Sequence, residues 1–297
     1  MDRKKFIKKS ILGVMGLTAG RQALKASNKE ASTYDKLMQQ VGFNHIPADA
    51  GIFNQKEKDM KTVLHKANTR GHANHGWLDS HHTFSFANYY NPERMNFGVL
   101  RVLNDDVVES GRGFGKHPHD NMEIISIPLE GDLEHQDSMG NKAIIKAGDV
   151  QVMSAGTGIY HSEMNRNRDK AVKFLQIWMF PNKRNVTPRY DQITLQATDL
   201  KNEFYQVLSP NKEDEGVWVY QNAWFHIGQF DKDKSTTYRI KASGNGVYAF
   251  VLEGDVTIAG QPLGKRDGFG VWDTNEITVK ADSDNAKILL MDVPMTL

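Results

Sequence analysis

The chain has 297 residues, a formal net charge of +1, 25% charged residues and 39% hydrophobic residues. That describes an ordinary globular protein, long enough to bury one large core or two smaller ones and with no sign of a general polyanion-binding surface, so no nucleic-acid partner is expected. The absence of cysteine excludes disulfides, thiolate-ligated zinc, iron–sulfur clusters and thiol nucleophiles; any metal must be held by His, Asp or Glu.

The N-terminal stretch MDRKKFIKKSILGVMGLTAGRQALKA has a basic head (Arg3, Lys4, Lys5, Lys8, Lys9) and then a ten-residue weakly apolar run from Ile11 to Gly20. This run is too short and too glycine-rich to span a bilayer, so stable membrane insertion is not expected. Its layout is that of an export signal, and DRKKFIK resembles the twin-arginine signal, with Lys4 in place of the second arginine. Ala19-Gly20 and Ala26 offer cleavage points, and no cysteine follows to carry a lipid. Residues 1–26 are therefore expected to direct the chain to the periplasm or otherwise out of the cytoplasm, a cytoplasmic location being the alternative. Residues 27–61 read as a polar linker or short helices; in STYDKLMQQVG, Ser32 or Thr33 caps a helix and Gly42 stops it.

From about Thr62 the pattern changes to short β-rich runs between Gly, Asn and Asp, among them NFGVLRVLND, AIIKAGDV, VKFLQIWMF and NAWFHIGQF. Such a pattern predicts an all-β sandwich or barrel. IPLEGDLEH (127–135) and FVLEGDVTI (250–258) share Leu-Glu-Gly-Asp after an apolar run, and each is followed by a further turn, Gly148-Asp149 and Asp267-Gly268. The repeat predicts two similar barrels in tandem, 62–208 and 209–297, divided at the polar SPNKEDEG (209–216).

Chemistry concentrates in the first of these. In HPHDNMEII, His117 and His119 are two residues apart, which on a strand aims both imidazoles at one point. In SAGTGIYHSEMN, His161 and Glu163 repeat the spacing with an imidazole and a carboxylate. Two such strands give three histidines and one glutamate around a single ion, with positions left open in an octahedral shell. An N/O set without sulfur suits one divalent transition metal, Fe(II) and equally Mn, Ni, Cu or Zn.

Other residues invite functional readings. His72, His75, His81 and His82 crowd GHANHGWLDSHH, but their spacing matches no expected strand pair, and they are read as packing around Trp77 and Phe84. His135 is expected on a turn or outer strand. His226 alone remains in the second barrel, which is therefore expected to hold no comparable metal. Phe174, Trp178 and Phe180 alternate along one strand and read as core. Gly156 and Gly158 read as tight turns.

The glycines around HPH and the later His161 segment resemble the two motifs of the cupin superfamily. RGHANHGWLDSHHTFSFANYYNP, HPHDNMEII, LEGDLEHQDSMG, GDVQVMSAGTGIYHSEMN and LQIWMFPNKRNVTPRY together resemble the pirin family, over about residues 62–192. The resemblance implies tandem cupin (jelly-roll) barrels, a bicupin, with a metal, iron in most members, on His117, His119, His161 and Glu163. Glu123, a ligand in typical cupins, is assigned either a role behind the ligands or a structural one and kept as the fallback ligand. The resemblance further implies a quercetin 2,3-dioxygenase-like activity, with a flavonol or similar enolic aromatic and O₂ as partners and Glu163 as catalytic base. The alternatives are a metal- or redox-responsive module with a protein partner, and a small-molecule-binding cupin without O₂ chemistry.

Overall fold

In the computed structural model residues 59–297 are described. The export signal expected at 1–26 and the helix expected at Ser32–Gly42 lie outside the described residues. The described part contains 22 strands and two short 3-10 turns, as the all-β reading requires.

The first half holds β2 (Gly71–Asn74), β3 (Leu78–His82), β4 (Leu100–Val108), β5 (Gly113–His119), β6 (Glu123–Glu130), β7 (Asp132–Asp137), β8 (Lys142–Lys146), β9 (Asp149–Ser154), β10 (Ile159–Asn165), β11 (Val172–Met179) and β12 (Arg189–Thr194), preceded by β1 (Lys61–His65). The second half holds β13 (Phe204–Ser209), β14 (Val217–Trp218), β15 (Trp224–Phe230), β16 (Ser235–Arg239), β17 (Asn245–Glu253), β18 (Val256–Ile258), β19 (Gln261–Leu263), β20 (Gly268–Trp272), β21 (Glu276–Ala281) and β22 (Ala286–Pro294).

Each barrel is a seven-stranded sheet and a four-stranded sheet. The first has the orders β12-β9-β6-β11-β4-β3-β2 and β5-β10-β7-β8; the second has β1-β20-β17-β22-β15-β13-β14 and β16-β21-β18-β19. The two orders correspond position by position, except that β2 pairs antiparallel with β3 where β14 pairs parallel with β13: β6 answers β17, β5 answers β16, and β10 answers β21. The repeated Leu-Glu-Gly-Asp is the structural counterpart of this symmetry. It carries the chain from the large sheet to the small one at β6–β7 and again at β17–β18, with Gly131 at φ +77° and Gly254 at φ +75°. A side chain at Gly131 would be strained by that φ and would come within 2.9 Å of Asn167 Nδ2.

The expected boundary differs from the observed one. β1 does not join the barrel that follows it in sequence; it pairs antiparallel with β20, Lys61 opposite Trp272 through His65 opposite Gly268. β13, placed by the sequence reading in the first barrel, pairs with β15 in the second. The position β1 fills in the second barrel is filled in the first by β12, which pairs with β9.

Burial follows from which sheet a strand belongs to. Central strands of the large sheets are covered on both faces, as in β9 and β17, because one face lines its own barrel and the other meets the neighbouring barrel. Strands of the small sheets alternate, as in β21, since their outer face meets water. One continuous core joins the halves, with Ile125, Val152 and Ile177 packed with Phe225, Phe250 and Leu289. At its margin Asp105 accepts from both Arg70 and Arg266, at 3.2 and 2.9 Å.

Phe250→Ala should therefore cost about 3–5 kcal/mol, since it empties a fully buried ring site between the barrels. Ile144→Ala, at an exposed position on β8, should stay within about 0.5 kcal/mol. Chemical denaturation of the two variants beside the parent measures the difference.

Candidate metal centre

The centre is built by the register of β5 against β10. His117 stands directly opposite His161, and His119 opposite Ile159, so the alternate histidines of β5 share a face with His161. One extra residue on β5 between His117 and Phe114 shifts the register before Glu163. This bulge frees the Gly115 carbonyl, which accepts from His117 Nδ1 at 2.7 Å. That bond leaves Nε2 of His117 with its lone pair available to a metal.

The three rings form a triangle, with centroids 4.4 Å apart for His117–His161 and 4.9 Å for the other two pairs. Their ligand nitrogens lie within 4.8 Å of one another. Burial, followed by the neighbouring imidazoles, pushes His119 down to about 4 and His161 down to about 3. His119 and His161 are thus neutral at pH 7, the form that binds metal. His161 is only 2% exposed, yet neither of its ring nitrogens has a hydrogen-bond partner, and His119 Nε2 has none. Buried imidazoles without partners are costly, and a metal ion shared among them supplies what is missing. The residues fit a divalent transition metal.

Glu163 stands in the same cavity wall but outside the three-nitrogen group. Its carboxylate accepts from Ser126 Oγ at 2.8 Å and from Gln176 Nε2 at 2.7 Å, one donor to each oxygen. Both donors come from otherwise apolar strands, EIISIPLE and VKFLQIWM; a polar side chain inside such a run was the signal that sequence reasoning passed over. Next to these lie Asn104 and Asp106 of β4, with Ser80 Oγ donating to Asp106. Burial pushes Asp106 up to about 7 against the pull of Ser80.

A cavity of about 540 Å³ opens from the histidines, walled on its apolar sides by Phe86, Phe114 and Trp178. Trp178 sets its ring edge-on to His119 with centroids 4.9 Å apart, so it is a wall of the site rather than plain core as expected; Phe174 is core.

Residues 63–179 match the family described as Pirin, and residues 206–293 match the one described as Quercetinase C-terminal cupin domain. The chain is 49% identical over 231 residues to a quercetin 2,3-dioxygenase of Escherichia coli (strain K12), covering 78% of this chain and 98% of that protein. The chain belongs to the pirin family. A pirin-like protein of Caulobacter vibrioides is 38% identical over 75% of this chain and 95% of its own length. Among solved structures, a bacterial pirin from Escherichia coli in complex with nickel(II) superposes with a TM-score of 0.75 at 47% identity, covering 79% of this chain and 99% of that one.

Within this pirin chain several sequence expectations change. Glu123 is neither behind the ligands nor available to replace one. Asn121, at φ 45°, does turn the chain back after β5, but the turn delivers Glu123 to the face of β6 shared with Ile125 and Ile127, which points at the other barrel. There it accepts from Ser154 Oγ at 2.7 Å and from the Tyr220 backbone, and burial pushes it up to about 7. His135, expected on a turn or outer strand, is fully buried on β7 opposite Glu163. Its ring centroid lies 5.4 Å from that of His161, and its Nε2 donates to Asp137 at 3.1 Å. Burial opposes charge on Asp137, but donors from Asn141, His135 and Met139 outweigh it and hold the carboxyl below the ordinary value. His82 faces the cavity, packed against Phe86 and Tyr89. The segment around it does form a strand pair, β2 with β3.

Metal analysis of desalted protein should find about one equivalent of a first-row transition metal, as one buried ligand set requires. His117→Ala/His119→Ala should abolish it and Glu123→Ala should leave it in place. Glu123 also predicts a pH effect. Its folded value of about 7 lies above the ordinary 4.5, so its contribution is fully present below 4.5 and is lost as pH rises through 7. Glu123→Gln should flatten that decline, with a higher Tm than the parent at pH 8 and little difference at pH 4.5.

Proposed function

We propose that this chain is a metal-dependent oxygenase of the quercetin 2,3-dioxygenase type, opening a flavonol or similar enolic aromatic with O₂. The observation that carries this reading is the convergence of three imidazoles, with ring nitrogens of His119 and His161 left unpartnered, beside a tethered carboxylate at the end of a cavity. The activity named for the Escherichia coli relative at 49% identity supports it.

His117, His119 and His161 would hold the metal, iron by preference, with Glu163 as fourth ligand. When bound, that ion supplies Lewis acidity toward an enolate oxygen and a centre able to couple the electron-rich substrate to O₂. The remaining work belongs to the chain. Phe86, Phe114 and Trp178 are flat surfaces suited to a planar aromatic, and a cavity of about 540 Å³ is in the range that buries such a molecule. Closure by apolar rings keeps water from competing for the reactive carbon. Glu163 accepts only one hydrogen bond at each oxygen, so a lone pair remains to take the substrate's hydroxyl proton. Ser126 and Gln176 hold the carboxylate in one orientation while it does so.

We further propose export of the folded chain, on the N-terminal sequence alone. Fractionation of the host with mass spectrometry of the mature N-terminus tests it; a cytoplasmic protein beginning at Met1 or Asp2 would overturn it.

Anaerobic Fe(II) protein should red-shift the absorption of quercetin as the flavonol loses its proton. Admitting O₂ should then consume oxygen, bleach the band and release carbon monoxide. Glu163→Gln should lower kcat by about 10²-fold or more, and should weaken flavonol binding less at high pH, where the substrate is already ionised. Protein replete in each of several metals that binds quercetin yet takes up no O₂ would leave a binding module as the better reading.

A further inference from the structure

The β2–β3 hairpin turns one face toward the cavity, through Ser80 and His82. At the cavity's margin, where His72 also forms part of the lining, the hairpin carries a second set of metal-ligating side chains that the chemistry above does not use. His72 and His81 are directly opposed across the ladder, and their rings stack with centroids 4.5 Å apart and planes 20° from parallel. Asp79 precedes His81 by two residues and so shares its face. His72 Nε2 donates to Asp79 at 3.2 Å, and His81 Nδ1 lies 3.4 Å from the same carboxylate. The ligand atoms of the three residues lie within 4.8 Å of one another.

We propose that His72, Asp79 and His81 form a second, exchangeable site for a divalent late first-row transition ion. Two imidazoles and a carboxylate without sulfur suit Ni(II), Cu(II) or Zn(II). Asn74 Nδ2 donates to Asp79 Oδ2 at 2.8 Å and holds the carboxylate toward the rings. Burial and the nearby Arg70 keep His81 below the ordinary imidazole value. Asp79 is held below the ordinary carboxylate value: its burial is outweighed by the bonds from His72 and Asn74. With side-chain exposures of 51%, 33% and 37% for His72, Asp79 and His81, the remaining coordination positions go to water and the ion can leave. An ion here would tie the edge strand β2 to β3, and so stiffen a strand pair whose inner face walls the cavity.

A hydrogen-bonded brace with no ion would also account for the contacts, and metal titration separates the two. Untagged full-length His117→Ala/His119→Ala protein, with the inner centre removed, is titrated with Ni(II) and Cu(II) by calorimetry. The expected result is about one equivalent bound, a Tm that rises with Ni(II) concentration, and nitrogen hyperfine coupling in the Cu(II) spectrum. Adding His81→Phe, which keeps a stacked ring and removes the ligand, should weaken binding about tenfold or more and abolish the Tm response; Asp79→Asn should weaken it as well. No uptake at millimolar Ni(II) or Cu(II), or uptake unaffected by His81→Phe, overturns the proposal. Should the double variant fail to fold, the parent with its inner centre already loaded serves instead: it should take up one further equivalent, and its His81→Phe variant none.

Discussion

The functional centre depends on one register, that of β5 against β10. With His117 opposite His161, three imidazoles meet on the inner face of the first barrel. A slip of one residue would send the histidines of one strand to the outer face. The register is held from both sides, because β10 also pairs with β7 along its length, His161 opposite Asp137 and Glu163 opposite His135. Those two neighbours form their own buried pair, 3.1 Å apart, which packs beside His161 on the same face of the sheet. The bulge on β5 adds a local correction by freeing the carbonyl that orients His117.

The two barrels show how one topology supports different interiors. The strands answering β5 and β10 in the second barrel are β16 and β21. Their inward side chains include Tyr238, Ile277 and Val279, all buried in an apolar cluster with Val256 and Leu290. His226, a buried polar group of this barrel, is used up locally: Tyr238 lies 3.3 Å from it and donates to Asp292. Burial pushes His226 down to about 3, so it stays neutral. Among the described residues the second barrel thus spends its inner volume on packing, and the first keeps an open cavity.

Alternation along β6 separates two buried carboxylate environments that differ by one residue in strand phase. Ser126 points inward and holds Glu163; Glu123 points outward into the joint between barrels. Both glutamates are almost fully buried, but only Glu163 shares a cavity with the histidines.

Much of the fold and part of the centre could be read from local order alone. Alternate histidines on a strand must share a face, so His117 with His119 was legible, as was the pairing of His161 with Glu163 in phase. Leu-Glu-Gly-Asp was legible as a repeated sheet-crossing turn because a left-handed glycine and short β runs are local properties. What stayed hidden depends on partners distant in sequence. Nothing local in Lys61–His65 tells that it pairs with residues 268–272 rather than with its own barrel. The crowded histidines of 72–82 could not be sorted into a cavity face and an outer face until the β2–β3 register existed. The cupin resemblance offers Glu123 as a fallback ligand and His135 reads as a turn or outer-strand residue; their actual places could not be read, because phase after a turn is set by which sheet the next strand joins. Side-chain identity and period were decided by the sequence itself; which face meets which neighbour was decided only when the sheets closed, since that choice belongs to contacts between strands and not to any one of them.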